Sequence, residues 1–266
     1  MIISSTNKDK LLHNYQYNLE YYDYIYSDHR QYSNHLLDTL TPFFLKHHIN
    51  AIFDACCGSG NDIEQLYKNG FSVNGSDICA TMVEFTVNRL RPKNINKSLF
   101  FTCNVLDLSK YCNNKYDLIL FRGNTLGHLT FEEQKKAIDE LIKITNPNGL
   151  ILIDFRDGVK YFNSKKIYEQ RGVGIDNKRK NIFFSFYKMR FPVNIRMPYT
   201  VKSYLFLLNY KKFKFTIYTE EIKANFVLKE TVVGYISKLR LKHDIVTSKV
   251  RGLPYLESIL IYNNAI

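Results

Sequence analysis

A glycine-rich turn closes an apolar run at residue 58. The run ends in Asp54-Ala55-Cys56-Cys57, and Gly58 and Gly60 follow with one Ser between them. Glycine lets a backbone pass close to a ligand and adopt positive φ. Position 63 is Ile where a dinucleotide fingerprint has its third glycine, and no Lys-Ser or Lys-Thr pair follows, as a Walker motif requires. A dinucleotide pyrophosphate or a nucleoside triphosphate therefore matches this turn poorly.

Two further polar residues stand where predicted strands end. Asp77 comes about 20 residues after the glycine turn, a position that suits the two hydroxyls of a ribose. The same carboxylate could instead cap the helix that is predicted to begin at Ala80. Asn104 follows the next strand, where an amide can meet the edge of an adenine ring, although Asn is also common in loops. Together with the glycine turn, Asp77 favours a ligand that contains a ribose.

Strand and helix signals alternate around these residues. A helical region over 7–47, Tyr-dense at 21–26, precedes the first strand. Strands are predicted over Ala51–Ala55, Phe71–Ser76, Leu99–Thr102, Tyr116–Phe121 and Leu150–Asp154, and helices over Asp62–Lys68, Ala80–Leu90 and Phe131–Thr145. We expect Asn146-Pro147-Asn148-Gly149 to end the last of these helices. Such alternation is typical of a mainly parallel sheet that helices cover on both faces.

The pattern changes after residue 160. Apolar and polar residues alternate over Asn181–Arg190, Thr200–Tyr210 and Phe213–Glu221, a helix follows near Glu230–Leu241, and two strands near Asp244–Val250 and Leu256–Tyr262 complete the sheet. The sequence thus predicts one α/β domain over 1–266, with a Rossmann-like, doubly wound, mainly parallel seven-stranded sheet. Residues 1–47 are expected to form a helical cap, and residues 160–221 an antiparallel insertion or lid.

The composition fits a folded chain in a reducing compartment. The 266 residues, 45% of them apolar, suffice for one large α/β domain. We expect no membrane span, no membrane partner and no secretory signal, because no long apolar run or signal pattern is present. The five Cys form no CxxC pair, so we expect reduced thiols, no metal site and a cytoplasmic location.

The net charge of +12 allows a nucleic-acid surface, but the lysines are dispersed, which favours solvated faces and makes nucleic acid an unlikely partner.

The stretch from Asp54 to Asp154 resembles the class I S-adenosylmethionine (SAM)-dependent methyltransferases. Within that family it is similar to the glycine N-methyltransferase group. The resemblance rests on DxxCGxG from Asp54, Asp77, Cys103-Asn104, GNTLGHL over 123–129, IDFR over 153–156 and Lys180-Asn181-Ile182. The first half of this pattern is specific for SAM binding, and the GN and IDxR elements point to the narrower group.

The resemblance implies that SAM is the cofactor and that S-adenosylhomocysteine is its product. Seven residues are implied as its contacts: Arg30, Asp54, Gly58, Gly60, Asp77, Asn104 and Gly123. By this resemblance Asp54 and the glycines frame the methionine part, Asp77 holds the ribose and Asn104 the adenine. Arg30 would pair with the cofactor carboxylate, and a solvent-exposed surface Arg is an equal interpretation.

The acceptor site is expected at the ends of the fourth and fifth strands. Asn124 could offer its amide oxygen to an amine and its amide nitrogen to a carboxylate, or it could cap a turn. His128 could accept a proton or be a packed core histidine. Arg156 could grip a carboxylate bidentately or pair with neighbouring acids. Tyr24 or Tyr26, on the segment that covers the active site in the relatives, could surround an amine.

These residues predict a SAM-dependent methyltransferase that acts on a small-molecule amine, most simply an amino acid-like one. Phe183-Phe184 stands where the relatives have a tyrosine pair, which makes glycine itself a doubtful acceptor. The alternatives are a sugar-amine or natural-product N-methyltransferase, an RNA methyltransferase, and a SAM-binding protein without catalysis. A homo-oligomer is compatible with any of them.

Overall fold

Two β-sheets and the helices around them make up the described part of the chain. The computed structural model describes residues 19–25, 27–90, 96, 99–246 and 256–265, with the backbone alone at some positions, among them 27–33 and 170–171. The strands are β1 (Ala51–Asp54), β2 (Ser72–Asp77), β3 (Phe100–Thr102), β4 (Tyr116–Phe121), β5 (Thr145–Arg156), β6 (Tyr168–Asp176), β7 (Asn181–Arg190), β8 (Tyr199–Asn209), β9 (Lys214–Ala224), β10 (Leu241–Val246) and β11 (Leu256–Ala265). The helices are α1 (Leu19–Ile25), α2 (Ser27–Lys46), α3 (Asn61–Lys68), α4 (Ala80–Leu90), α5 (Leu108–Tyr111), α6 (Phe131–Lys143), α7 (Gly158–Ser164) and α8 (Lys229–Lys238).

The larger sheet has seven strands in the order β10-β11-β5-β4-β1-β2-β3. Strands β1 to β5 run parallel, and β11 runs antiparallel to both of its neighbours. The order reverses between β1 and β4, so the crevice at their carboxyl ends is where such a sheet binds ligands. The predicted doubly wound, mainly parallel seven-stranded sheet is confirmed.

Alternation along the central strands divides the core between the two faces of this sheet. On β4, Leu118 and Leu120 belong to the cluster that packs under α2, α3 and α4. Ile119 and Phe121 belong to the cluster that packs under α6 and α8. Both faces of every central strand are therefore buried, as βα crossovers require. Among the described helices, none combines the length and the apolar character that a bilayer crossing needs.

The smaller sheet, which we call the lid sheet, is antiparallel in the order β6-β7-β8-β9. Its inner face carries a buried polar row across the four strands, because Glu169 pairs with Tyr187, Tyr187 with Ser203, and Ser203 with Glu220. Its outer face is exposed and largely apolar. The predicted antiparallel insertion is present, with its strands over 168–224.

Some predicted boundaries were wrong for local reasons. Strand β6 was missed because Gly172 and Gly174 weaken its strand signal. Helix α6 ends at Lys143, two residues before the predicted end. Residues 146–149, which were expected to end that helix as a turn, lie in the irregular start of β5. The described part of the predicted 7–47 helix consists of two helices, α1 and α2.

We predict that Gly60→Ala lowers the free energy of unfolding by about 2–4 kcal/mol, since it adds a steric clash to backbone strain. Gly60 has φ +75°, and a Cβ there would lie 2.6 Å from Thr86 Cγ2. Gly123→Ala is the matched control, because Gly123 has φ +76° with nothing within 4 Å of a Cβ. The control should lose only about 1–2 kcal/mol in denaturant unfolding. Equal losses in the two variants would contradict the packing argument.

Candidate active site

The glycine turn lies between the end of β1 and the start of α3, and neighbouring elements hold it in place. Gly58 has φ +50°, its N–H donates to Asp77 Oδ2 at 2.9 Å, and its carbonyl accepts from Thr86 Oγ1 at 2.8 Å. Arg89 donates to the Ser59 carbonyl at 2.8 Å. Tyr22 of α1 reaches this turn, because its hydroxyl would be 3.5 Å from a Cβ on Gly58. The turn is therefore fixed on one side by α4 and covered by α1 on the other.

Asp77 is buried at the carboxyl end of β2 and joins two segments of backbone. Its Oδ2 accepts from Gly58 and its Oδ1 accepts from the Cys79 N–H at 2.9 Å. Burial raises the pKa of this carboxyl, and the backbone hydrogen bonds oppose that shift. The bond to Cys79 is the capping interaction considered from the sequence, and it coexists with the contact to the glycine turn. Each oxygen keeps a lone pair for a further donor.

Asn104 stands next to Asp77 along this edge of the sheet. The Cys103 N–H donates to the Asp77 carbonyl at 3.0 Å, which sets the two residues side by side. The Asn104 side chain accepts from the Leu106 N–H at 3.1 Å and caps a short 3₁₀ turn over Val105–Asp107. The structure thus brings the predicted ribose and adenine residues together at the carboxyl ends of β2 and β3.

A buried ion-pair cluster occupies the carboxyl ends of the central strands. Arg122, directly after β4, contacts Asp62 Oδ2 at 2.8 Å through Nη1 and Asp154 Oδ2 at 3.3 Å through Nε. Burial raises the pKa of Asp54 well above its ordinary value, the nearby Asp62 adds to that rise, and Arg122 opposes it. Burial likewise raises the pKa of Asp154. With Asp77, this cluster of described residues holds four carboxyl groups and the single cation Arg122.

The sequence interpretation missed Arg122 and Asp62. A signal was present for Arg122, because this charge directly follows the apolar run Leu118–Phe121, just before the GN motif. A charge at such a position is buried by the fold and needs a partner. Asp62 lies in the first turn of α3, where an acid could equally be assigned to the helix dipole.

Asn124 is locked into the loop after β4. Its backbone is left-handed at φ +58°, and its N–H donates to Asp154 Oδ1 at 2.8 Å. Its side-chain oxygen accepts from the Arg156 N–H at 2.9 Å. Gly127 packs against this side chain, since a Cβ there would lie 2.9 Å from Asn124 Nδ2. That oxygen thus holds the backbone of β5 with one lone pair, and its predicted contact with an acceptor amine stays a prediction.

His128 ends the 3₁₀ turn that follows Asn124. Its Nδ1 is buried and has no hydrogen-bond partner within the described residues. Burial lowers the pKa of this imidazole to about 4, so the ring is neutral at pH 7. The Gly127 carbonyl in the same turn accepts from the Asn225 N–H at 2.6 Å, which ties the turn to the chain leaving the lid sheet.

Arg156 is bound by a carboxylate of the protein itself. Its Nη1 lies 3.1 Å from Glu169 Oε2 and its Nη2 lies 3.3 Å from Glu169 Oε1, and both side chains are buried. The guanidinium also lies over the Tyr161 ring at 5.0 Å. Burial alone would lower the pKa of Arg156, but Glu169 and nearby tyrosine hydroxyls hold it above its ordinary value. The predicted partners Asp154 and Asp157 make other contacts, so the acid that pairs with Arg156 comes from the lid sheet.

Tyr24, one of the two predicted tyrosines, is engaged by the lid sheet. The Tyr24 hydroxyl donates to Asp176 Oδ2 at 2.6 Å and accepts from Asn181 Nδ2 at 3.1 Å, which fixes it to the lid sheet. Its ring packs on Phe183, whereas Phe184 lies on the outer face. Tyr26 lies outside the described residues. Arg30 lies in α2, where the structure describes only the backbone, so its contact with the cofactor stays a prediction.

Two other tyrosines of α1 take the covering position. Tyr22 approaches Gly58, as described above, and Tyr21 stacks on Tyr218 of the lid sheet at 5.2 Å. The Tyr-dense stretch was noted in the sequence, but its spacing did not indicate which rings face the turn. Among the described residues no cluster of His, Cys, Asp and Glu has a metal-binding arrangement, and the five Cys are free.

Comparison with known proteins identifies the fold. Residues 52–149 match a family described as a methyltransferase domain. A SAM-dependent methyltransferase from Clostridium acetobutylicum superposes over 97% of this chain and 99% of its own, with TM-score 0.65 and 17% identity. The chain has the SAM-dependent methyltransferase fold. Streptomyces venezuelae DesVI matches 94% of this chain and 97% of its own length, with TM-score 0.67 and 14% identity. The sugar N-methyltransferase KedS8 from Streptoalloteichus matches 93% of this chain and 92% of its own length, with TM-score 0.66 and 9% identity.

The sequence comparison confirms the narrower resemblance. Glycine N-methyltransferase from Rattus norvegicus is 27% identical over 123 residues, which is 42% of this chain and 42% of that protein. The Homo sapiens enzyme is 25% identical over 125 residues with the same coverage. The chain therefore aligns with less than half the length of these curated relatives.

We predict that His128 makes the protein less stable in mild acid. Unfolded histidine has a pKa near 6.5, and the folded value is about 4, so the unfolded chain binds the extra proton between these pH values. The free energy of unfolding should therefore fall by about 2 kcal/mol between pH 7 and pH 5 through this residue. Denaturant unfolding of the wild type and His128→Gln at both pH values measures this difference. An identical pH response in the two proteins would contradict a neutral His128 whose Nδ1 is buried.

Proposed function

We propose that this protein transfers a methyl group from SAM to the amine nitrogen of a small molecule. The observation that carries the proposal is the pairing of Asp77 with the glycine turn at the carboxyl ends of β1 and β2, beside an excess of buried carboxylates. SAM supplies a methyl group that its sulfonium has already activated for transfer. The likeness to SAM-dependent methyltransferases over nearly the whole chain supports this assignment.

The residues present fit this cofactor. Asp77 has lone pairs for the two ribose hydroxyls beyond those that Gly58 and Cys79 use. The carboxylates around Arg122 outnumber its single charge, and such a field favours a ligand with a sulfonium and an ammonium group. Gly123 faces open space at the end of β4, where a Cβ would meet nothing within 4 Å. That open space leaves room for a ligand beside the acceptor loop.

The chain's own residues position the acceptor and keep water out. The Asn124 loop is fixed by Asp154 and by Arg156, so its geometry is set before the acceptor binds. His128 is neutral and, with a pKa of about 4, is too weak a base to deprotonate an ammonium efficiently. We assign it a hydrogen-bonding role toward the amine through its buried Nδ1. Desolvation in the closed pocket disfavours the ammonium form, and the proton leaves to solvent.

The Arg156–Glu169 pair bears on the class of acceptor. The sequence favoured an amino acid whose carboxylate Arg156 would grip. In the structure the two oxygens of Glu169 already accept hydrogen bonds from Nη1 and Nη2 of Arg156. An acceptor carboxylate would therefore meet a guanidinium whose charge Glu169 already neutralises, and displacing Glu169 would leave that buried acid without its partner, which is costly. We therefore favour an amine without a carboxylate, such as a sugar amine, and the likeness to a sugar N-methyltransferase agrees with this choice.

We predict that Asp77→Asn weakens SAM binding at least about tenfold, or 1.4 kcal/mol, in calorimetry. The Asn side chain keeps one oxygen that can accept from the backbone, but it lacks the negative charge and the second acceptor oxygen of Asp77. Asp117→Asn is a matched control, because Asp117 also accepts two backbone N–H groups, from Asn50 and Ala51, at the opposite end of the sheet. Unchanged affinity in folded Asp77→Asn would refute the ribose assignment and the proposed cofactor site.

We predict that Glu169→Gln raises kcat/KM for carboxylate acceptors such as glycine at least about tenfold, since it frees the Arg156 guanidinium. The wild type should prefer amines without a carboxylate in a SAM-donor screen. Glu257→Gln is the control, because Glu257 is another buried acid, paired with Lys160 at 2.6 Å. SAM affinity should be the same in all three proteins.

Other results of this screen would separate the alternatives. A wild type that prefers glycine, with no gain in Glu169→Gln, would restore the amino acid acceptor. Robust methyl incorporation into bulk RNA at physiological salt would replace the small-molecule acceptor altogether. SAM binding with no acceptor turned over would support a binding protein without catalysis.

A further inference from the structure

The outer face of the lid sheet is unusually apolar for a solvated surface. Antiparallel sheets normally turn polar residues to water on the face that does not pack on the core. Here six side chains from three strands are between 41% and 65% exposed: Val173, Ile175, Ile182, Phe184, Phe215 and Ile217. Register pairs them across the sheet, so they form one continuous surface. A contiguous apolar surface of this kind marks an interaction site.

Phe213 extends this surface at the turn between β8 and β9. Its side chain is 88% exposed, and its backbone is left-handed at φ +50°. A bulky residue in that conformation costs free energy, and no packing repays the cost here. A large aromatic ring at an exposed, strained turn therefore serves something other than the stability of the fold.

Basic residues surround Phe213. Lys211, Lys212 and Lys214 flank it and are exposed. The neighbouring turn between β6 and β7 adds Lys178 and Lys180, because the Tyr210 N–H donates to the Lys180 carbonyl at 3.0 Å and holds the two turns together. This end of the lid sheet thus combines an exposed aromatic ring with five lysines.

The charge distribution decides between a second copy of the chain and an anionic partner. The opposite end of the outer face is also basic, because Lys188, Arg190, Lys202 and Lys223 outnumber the single acid Glu221 among the described outward register positions. Two copies packed face to face would bring basic ends together whether the sheets were aligned parallel or antiparallel. Like charges so placed are destabilising, whereas an anionic surface complements both ends.

The ring geometry decides between nucleic acid and lipid. A nucleic acid would need free aromatic faces on which bases can stack. Apart from Phe213 at the turn, the outer-face rings lie against one another instead, with Phe186 and Tyr204 centroids 4.8 Å apart at 12° and Phe186 and Phe206 at 14°. The aliphatic side chains around them are exposed, which forms a hydrocarbon surface.

We propose that the outer face of the lid sheet docks on the surface of an anionic phospholipid bilayer, with Phe213 entering the headgroup region. The lysines neutralise lipid phosphates and carboxylates, and the apolar residues leave water. The expectation of no membrane partner rested on the lack of an apolar span, which does not bear on attachment to a membrane surface. The inner face of the same sheet meets the end of β5 through the Arg156–Glu169 pair, so docking would bring the proposed acceptor site close to the lipid.

The test is cosedimentation of the full chain with vesicles of phosphatidylcholine and phosphatidylserine. Binding should fall at least about tenfold with phosphatidylcholine alone, with added salt, and in Lys211→Glu/Lys212→Glu. Phe213→Ser should weaken binding while retaining the salt dependence. Leu45→Ser/Lys46→Glu, an exposed apolar and basic pair on α2, is the matched control and should bind like the wild type. Unfolding midpoints show whether each variant is folded.

Four outcomes would overturn the proposal. The first is no binding to the anionic vesicles, and the second is equal loss in the α2 control. The third is a stable dimer in sedimentation velocity that Phe213→Ser dissociates while vesicle binding is unchanged, which would assign the face to a second copy. Binding of RNA in preference to the vesicles would assign it to nucleic acid. None of these results depends on the methyl-transfer activity, so the two proposals fail separately.

Discussion

Arg122 and the carboxylates around it set the geometry of the whole crevice. One buried cation joins Asp62 at the start of α3 to Asp154 on β5, so a helix and two strands are held by a single guanidinium. Asp154 in turn fixes the backbone of Asn124, whose side chain holds the backbone of Arg156. Removing one member would leave buried charges without partners, which costs several kcal/mol. The crevice is therefore rigid before any ligand enters.

The same cluster explains why the site suits a cation. Its carboxylates exceed its positive charges, and burial raises the pKa of Asp54, Asp77 and Asp154. A cationic ligand would relieve this penalty, because it stabilises the ionised carboxylates. The fixed backbone of the glycine turn and the buried carboxyl groups thus act together, one on the shape of the ligand and the other on its charge.

The Arg156–Glu169 pair connects this crevice to the lid sheet and gives that sheet two different faces. Its inner face brings Glu169 to the end of β5 and Tyr218 to α1. Its outer face presents hydrocarbon to the surroundings. Under the two proposals above, this one element would select the acceptor on one side and dock on a membrane surface on the other. The lid sheet lies outside the matched 52–149 segment.

Local sequence was enough for the parallel sheet, the glycine turn, Asp77 and the Asn124 loop. Each of these depends on neighbours within one βα unit, where periodicity and glycine placement carry the information. The partner of Arg156 could not be found this way, because Glu169 is brought to it by the return of a strand whose signal the glycines weaken. The Arg122 cluster joins residues from three elements, and ion pairs between distant elements leave no periodic trace. The choice of Tyr21 and Tyr22 over Tyr24 followed from how α1 is rotated against the lid sheet. Composition and order of elements determined the fold, and only the tertiary packing decided which charges were already paired and which face of the lid remained exposed.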